Sequence, residues 1–205
     1  TIDPSESLLY YERAKLHNAQ GNSMLALEDI NRAIALNKSE SLFLETRASF
    51  YNSANDFQSA MQDLTKAIEL SSDNVDLYHK RAEAWHYLGE FRQAIADYNI
   101  VLNFVVDNSD YYLGRSRAYV SLADFSLALN DIAQAISIEP DMHEHYAERA
   151  SVLMSLYAIG PVIEDDQDET QSNEESEDHL DLDLSPVEEN IFPMVQGRSV
   201  GVTLE

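Results

Sequence analysis

Paired charges of opposite sign recur along this chain at a fixed spacing. In four successive segments an arginine is followed by an aspartate at one constant offset, and the pairs themselves recur at equal intervals. The pairs are Arg13 and Asp29, Arg47 and Asp63, Arg81 and Asp97, and Arg115 and Asp131. A guanidinium can bind a carboxylate through two parallel hydrogen bonds, so each pair could join two packed elements. A charge that recurs in every segment at one offset is better explained by a repeated structural contact than by identical binding sites. We expect these pairs to set packing register more than to add stability.

Few other residue patterns in the chain could carry chemistry. The sequence has no cysteine, which excludes disulfides, zinc ribbons and a cysteine nucleophile. His79 and His86 would share one helix face, but they lack carboxylates at the spacing of a metal site. No glycine-rich phosphate loop, HExxH motif or nucleophile elbow occurs. We therefore expect no enzymatic activity, no cofactor and no metal.

The period of these pairs also governs the small and apolar residues that would position the charges. Alanine recurs in four segments with the same period, at Ala26, Ala60, Ala94 and Ala128. Such a period is typical of helix–turn–helix repeats. Apolar residues at i, i+3, i+4 and i+7 predict two amphipathic helices in each repeat, and stacked pairs would share a core with nearest neighbours only. The predicted helices are 5–19, 23–36, 41–54, 57–70, 75–88, 91–104, 109–121, 125–138 and 143–157.

Equivalent positions in successive repeats form what we call a column. Three further columns of residues carry a family resemblance. The first large-residue column holds Tyr10, Leu44, Tyr78, Tyr112 and Tyr146; the small-residue column holds Ala14, Ala48, Ala82, Ser116 and Ala150; the second large column holds His17, Tyr51, Trp85, Tyr119 and Leu153. The pattern resembles the tetratricopeptide repeat (TPR) family over roughly residues 1–158. The resemblance implies an all-α fold, a right-handed α-solenoid of stacked antiparallel helix pairs, and a role as a protein-interaction scaffold or adaptor.

The repeat columns divide the chain into an array and a tail. Pro4 falls in the closing-proline column of Pro140, so residues 1–4 are interpreted as the end of a preceding repeat, and the chain as a fragment or processed product of a longer array. The array covers 5–158, with repeats near 7–40, 41–74, 75–108 and 109–142 and a partial repeat at 143–158. Residues 159–205 form an acidic tail, and residues 160–205 carry a net charge of −13 (1 basic and 14 acidic residues) out of −24 for the whole chain.

Two interpretations of the tail stay open. Its segment 164–178 is rich in acidic and small polar residues and is predicted to be disordered. Ser185, Pro186 and Glu188 form a capping box with proline at the first helical position. This favours a short helix at 186–192 that docks on the fifth repeat, where Leu153, Leu156 and Tyr157 would otherwise be exposed. The alternative is an unstructured end.

The resemblance also implies a binding groove, because the first helices of successive TPRs line a concave surface that holds an extended peptide or a helix. The groove positions of this chain include Tyr11, Lys15, Asn18, Asn52, His79, Lys80, Glu83, His86, Tyr87 and Arg117. Basic and aromatic residues among them indicate a pocket for an acidic or C-terminal segment, with Arg117 and Lys80 as charge partners. The alternative is a solvated polar face. Some TPR co-chaperones bind chaperone C-termini through a characteristic set of residues. This chain clearly keeps only Lys80 of that set, so we do not expect it to bind chaperone C-termini in this way.

The remaining expectations concern partners and location. A strongly acidic chain disfavours nucleic acid, because phosphate contacts dominate that affinity. The longest apolar stretch is too short to span a bilayer, and the lack of cysteine favours an intracellular, cytoplasmic protein. We expect a scaffold whose acidic tail regulates access to the groove, through the Leu/Asp segment 180–184 or the helix at 186–192. The alternatives are a non-catalytic arm of a larger enzyme, such as a transferase or ligase, and a structural subunit of a large assembly.

Overall fold

The computed structural model describes residues 4–159, and this part of the chain consists of nine α-helices without a strand. They are α1 (Pro4–Ala19), α2 (Ser23–Leu36), α3 (Ser41–Ser53), α4 (Phe57–Leu70), α5 (Val75–Tyr87), α6 (Phe91–Phe104), α7 (Ser109–Ser121), α8 (Phe125–Ile138) and α9 (His143–Ile159). Each predicted helix agrees with the observed bounds to within two residues. Pro4 begins α1, a position that suits proline because the first turn needs no backbone donor. The acidic tail, its disorder and the helix at 186–192 lie outside the described residues, and so do residues 1–3.

Tight turns join the two helices of each pair through one backbone geometry. Gly21, Asn55, Gly89 and Ala123 occupy equivalent positions in successive repeats, and all four have positive φ, from 60° to 78°. The next residue donates its amide hydrogen to the carbonyl five residues earlier at 2.9 Å, as between Asn22 and His17. This left-handed residue with a 6→1 hydrogen bond is the Schellman ending of a helix. The predicted helices 109–121 and 125–138 place a break at this turn, but its left-handed residue is an alanine and not a glycine or asparagine.

Small residues let the helices of each pair approach closely. The recurring alanines Ala26, Ala60, Ala94 and Ala128 are fully buried, and large residues such as Ile30 fill the space around them. Each helix packs mainly against the helices before and after it in sequence. The described residues therefore form an α-solenoid of stacked helix pairs, whose core continues from one pair to the next.

Helix α9 is a first helix without a second helix beside it in the described part of the chain. Ala150 is exposed, although its equivalents in the first four repeats are buried. Leu153, Leu156 and Tyr157 are exposed as well, with Tyr157 89% accessible. Among residues 4–159, no helix combines the length and the apolar character needed to cross a membrane.

Candidate functional site

The repeated arginines and aspartates form one contact in each of the first four helix pairs. Each arginine, on the first helix, donates from Nε and Nη2 to the two carboxylate oxygens of the aspartate on the second helix. The eight donor–acceptor distances lie between 2.6 and 2.8 Å. The hydrogen bond from Arg13 is the main cause that lowers the pKa of Asp29, and the bond to Asp97 raises the pKa of Arg81. This geometry favours a structural role over ligand binding.

A third contact of these arginines connects neighbouring repeats. The Nη1 group donates to a polar side chain on the second helix of the preceding repeat: Arg47 to Asn31 at 2.6 Å, Arg81 to Thr65 at 3.4 Å, and Arg115 to Asn99 at 2.5 Å. Sequence reasoning missed this link. The signal was present, because a side chain with a hydrogen-bonding oxygen stands two residues after the aspartate in each of the first three repeats. Each of these arginines thus connects three helices.

The first helices also meet one another on one side of the array, which we call the groove face. The residues predicted for the groove do not all present their side chains there. Tyr11 is only 8% exposed, because it stacks on Phe43 of the next repeat with ring centroids 5.2 Å apart. Tyr11 therefore offers little surface to a ligand. Asn18 is half-buried.

The basic residues of the groove face are bound by carboxylates of the array itself. Lys80 lies 2.5 Å from both Glu45 and Asp76. Arg117 binds Glu148 of α9 at 2.7 and 3.3 Å.

Lys15 is also paired with a carboxylate, since Glu12 lies 3.2 Å from its ammonium group. All three cations predicted for the groove are therefore neutralised by neighbours. This pairing argues against the acidic ligand that the sequence suggested.

A small cavity lies where the third and fourth repeats meet. Its volume is about 150 Å³, and its lining residues are Glu83, His86, Tyr87, Tyr98, Gly114 and Arg117. Tyr98 comes from the second helix α6, and sequence reasoning did not count it as a groove residue. A side chain at Gly114 would overlap the Tyr98 hydroxyl and ring, so this glycine makes room for the tyrosine.

A second depression of about 360 Å³ adjoins this cavity and shares Glu83 and Tyr87 with it. Tyr87 stacks on Phe57 with centroids 4.4 Å apart and remains 67% exposed. Asn52 lines the depression, and its buried Oδ1 atom has no hydrogen-bond partner.

Two histidines complete this region of the groove face. The buried Nδ1 atom of His86 also has no hydrogen-bond partner, and burial, followed by the charge of Arg117, lowers the pKa of His86. His79 packs its ring against Tyr111 at 4.7 Å and faces Glu83 at 3.9 Å. Within residues 4–159, no cluster of three or more histidine, aspartate or glutamate side chains could hold a metal ion.

Comparison with known proteins gives matches of family and of fold. A family model described as tetratricopeptide repeat matches residues 43–74 and 109–142. A search of curated proteins found no match.

Among solved structures, MamA is similar with a TM-score of 0.67 and 16% identity, over 70% of this chain and 84% of that one. YrrB, described as a TPR protein with an unusual peptide-binding site, has a TM-score of 0.64 and 14% identity, over 72% of this chain and 76% of that one. The first TPR of Spaghetti (RPAP3), bound to the HSP90 peptide SRMEEVD, has a TM-score of 0.54 and 23% identity, over 57% of this chain and 93% of that one.

Identities this low carry information about the fold alone. They agree with the family match and with the columns of alanine, arginine and aromatic residues, which recur with one period along the described helices. The chain thus carries tetratricopeptide repeats, matched at residues 43–74 and 109–142, within a TPR-like α-solenoid.

Proposed function

We propose that this protein is a non-catalytic interaction scaffold or adaptor, which binds a peptide or helix of a partner protein on its groove face. The observation that carries this proposal is the pair of adjoining depressions around Tyr87. They contain an exposed aromatic ring and two buried polar atoms, Asn52 Oδ1 and His86 Nδ1, that lack partners. Buried polar groups are nearly always hydrogen-bonded, so unpaired ones in a surface depression favour a ligand that completes them.

An extended peptide fits this arrangement well. Asn52 and His86 are equivalent positions on successive first helices, separated by one repeat. A main-chain amide hydrogen of the ligand would bind Asn52 Oδ1, and the ring of Tyr87 would pack against an apolar portion of the ligand. The peptide-binding TPR proteins among the similar structures support this use of the fold.

The same proposal concerns the charge of the partner and the regulation of its binding to the groove face. The pairing of Lys15, Lys80 and Arg117 with carboxylates leaves the groove face without an unneutralised basic cluster, so we do not propose the acidic partner or nucleic acid. Regulation by the acidic tail and a cytoplasmic location stay predictions from the sequence. Comparison of the partner affinity of residues 1–205 with that of residues 1–159 tests the tail, because equal affinities would exclude autoinhibition.

Two other functions are alternatives to the role of an interaction scaffold. As an arm of a larger transferase or ligase, the array would still use its groove face, and the sequence upstream of Thr1 would decide. As a structural subunit of a large assembly, it would instead use its second helices, which carry exposed residues such as Met24 and Leu127.

Affinity capture with three proteins separates these uses. We would immobilise the wild-type chain, a groove variant carrying Asn52→Ala and Tyr87→Ala, and a control variant carrying Met24→Ala and Leu127→Ala on second helices. Mass spectrometry would identify the bound proteins. The proposal expects a partner that wild type and control capture equally and that the groove variant loses. A partner lost only with the control variant would contradict the groove and favour the structural subunit.

A further inference from the structure

The cavity beside Tyr87 arises where the chain departs from its own repeat. The second helices carry Ile30, Leu64 and Ile132 in the column where α6 carries Tyr98. The facing first helices carry side chains in the column where α7 carries Gly114. These two departures occur together, and a side chain at Gly114 would overlap Tyr98. The cavity therefore depends on a matched pair of exceptions at one repeat junction.

The tyrosine hydroxyl gives this cavity a polar wall. Tyr98 is only 4% exposed, yet no hydrogen bond joins its hydroxyl to another described residue. Burial is the first cause that raises the pKa of Tyr98, and the carboxylate of Glu83 raises it further, while the charge of Arg117 opposes the shift. The hydroxyl is thus protonated at neutral pH and has free lone pairs that can accept a hydrogen bond from a ligand.

The charges around the cavity favour a cation. Glu83 lines the cavity, and no lysine or arginine of the described residues binds it; the imidazole of His79 lies 3.9 Å from its carboxylate. Arg117, the arginine in the lining, is already held by an ion pair with Glu148. Glu83 is therefore a carboxylate without a lysine or arginine partner, at an opening whose walls include the rings of Tyr87 and Tyr98. Aromatic rings beside a carboxylate attract ammonium and guanidinium groups.

We propose that this cavity receives a lysine or arginine side chain of the bound partner and so selects basic peptides. The cationic group binds Glu83 and donates to the Tyr98 hydroxyl, while its aliphatic stem packs on Tyr87. The volume of about 150 Å³ suits one side chain of this size. This inference rests on the proposed peptide-binding function and adds the chemistry of one anchor residue.

Peptide selection followed by measured affinities tests the proposal. A library of random peptides displayed on phage would be selected on the full chain, and the strongest binders synthesised. Their Kd would be measured by calorimetry for wild type, for Glu83→Gln and Tyr98→Phe, and for the control Glu69→Gln, which removes an exposed carboxylate on α4. All four proteins carry the same acidic tail, so its attraction for basic peptides cancels in the comparison.

The expected peptides share one lysine or arginine, and replacing it with norleucine or citrulline weakens binding to wild type about tenfold. The same replacement costs little in Glu83→Gln, and Tyr98→Phe weakens binding severalfold, whereas Glu69→Gln binds as wild type. Peptides that bind the groove without a shared basic residue, or that share an acidic one anchored by Arg117, would overturn the inference and leave the proposed function intact. If no selected peptide bound, or if Tyr87→Ala left every affinity unchanged, the proposed function would fail with it.

Discussion

Arg81 and Asp97 lie on consecutive helices and are joined by two hydrogen bonds of 2.8 and 2.7 Å, with 5% of the aspartate side chain exposed. Removing the guanidinium in Arg81→Ala would leave a buried carboxylate without its partner and break the link to Thr65 on the preceding repeat. We expect the free energy of unfolding to fall by about 3 kcal/mol. Urea unfolding followed by circular dichroism measures this loss.

Arg92→Ala is the matched control, because Arg92 is exposed on the neighbouring second helix, and it should change stability little. An Arg81→Ala protein of wild-type stability that had lost peptide binding would contradict the structural role of this pair.

The tyrosine and glycine at the cavity should depend on each other. Gly114→Ala forces Tyr98 from its place and should lower the free energy of unfolding by about 2 kcal/mol. In a Tyr98→Leu background, which restores the residue type of the other repeats, the same change should cost much less. A double-mutant cycle in urea measures this coupling, and additive effects of the two changes would show that the predicted overlap does not matter.

The left-handed turn at Ala123 offers a way to stabilise the protein. Ala123 has φ of 60°, a left-handed conformation that disfavours residues with a Cβ atom. Ala123→Gly should raise the free energy of unfolding by about 1 kcal/mol. The reverse control is Gly89→Ala at the equivalent turn, where nothing lies within 4 Å of an added Cβ, so that backbone strain alone should lower stability. Thermal unfolding of both variants gives the answer, and a lower Tm for Ala123→Gly would refute the assignment.

Stability should depend on the protonation of His86. Burial first, and the charge of Arg117 second, lower its pKa below the ordinary value of 6.5. Between the folded pKa and 6.5 the unfolded chain binds more protons, so the stabilising contribution is full above pH 6.5 and is lost as the pH falls below it.

We therefore expect the free energy of unfolding to decrease from about pH 7.5 to about pH 5.5, and to decrease less in His86→Gln. Urea titrations at the two pH values test this. Because the other histidines are present in both proteins, an equal decrease in wild type and variant would exclude a contribution from His86.

The repeat period made the helices predictable. Because each helix is constrained by equivalent columns in its neighbours, local ambiguity at one position is resolved by the others, and the helix bounds agree to within two residues. The predicted bounds 109–121 and 125–138 also gave the turn at Ala123, although alanine carries no turn preference of its own. The repeat period predicts a turn at this position, since the equivalent turn residues Gly21, Asn55 and Gly89 precede it at equal intervals.

The groove was harder to predict, for a physical reason. Its properties depend on which side chains meet across helices, and a column of residue types does not specify those partners. The binding of Lys80 to Glu45, on the first helix of the preceding repeat, turned an expected basic cluster into a neutral one. The burial of Tyr11 follows from packing against Phe43, and the cavity at Tyr98 needed the coincidence with Gly114.

Contacts that join mainly successive helices have a consequence for how such a protein can diversify. A substitution within one first helix alters one position on the recognition surface and leaves distant repeats undisturbed. Tyr98 with Gly114 illustrates such a local edit, confined to a single junction. Duplication of one repeat unit would lengthen the recognition surface by one helix without changing the other repeats. Binding specificity can therefore change one repeat at a time while the fold stays the same.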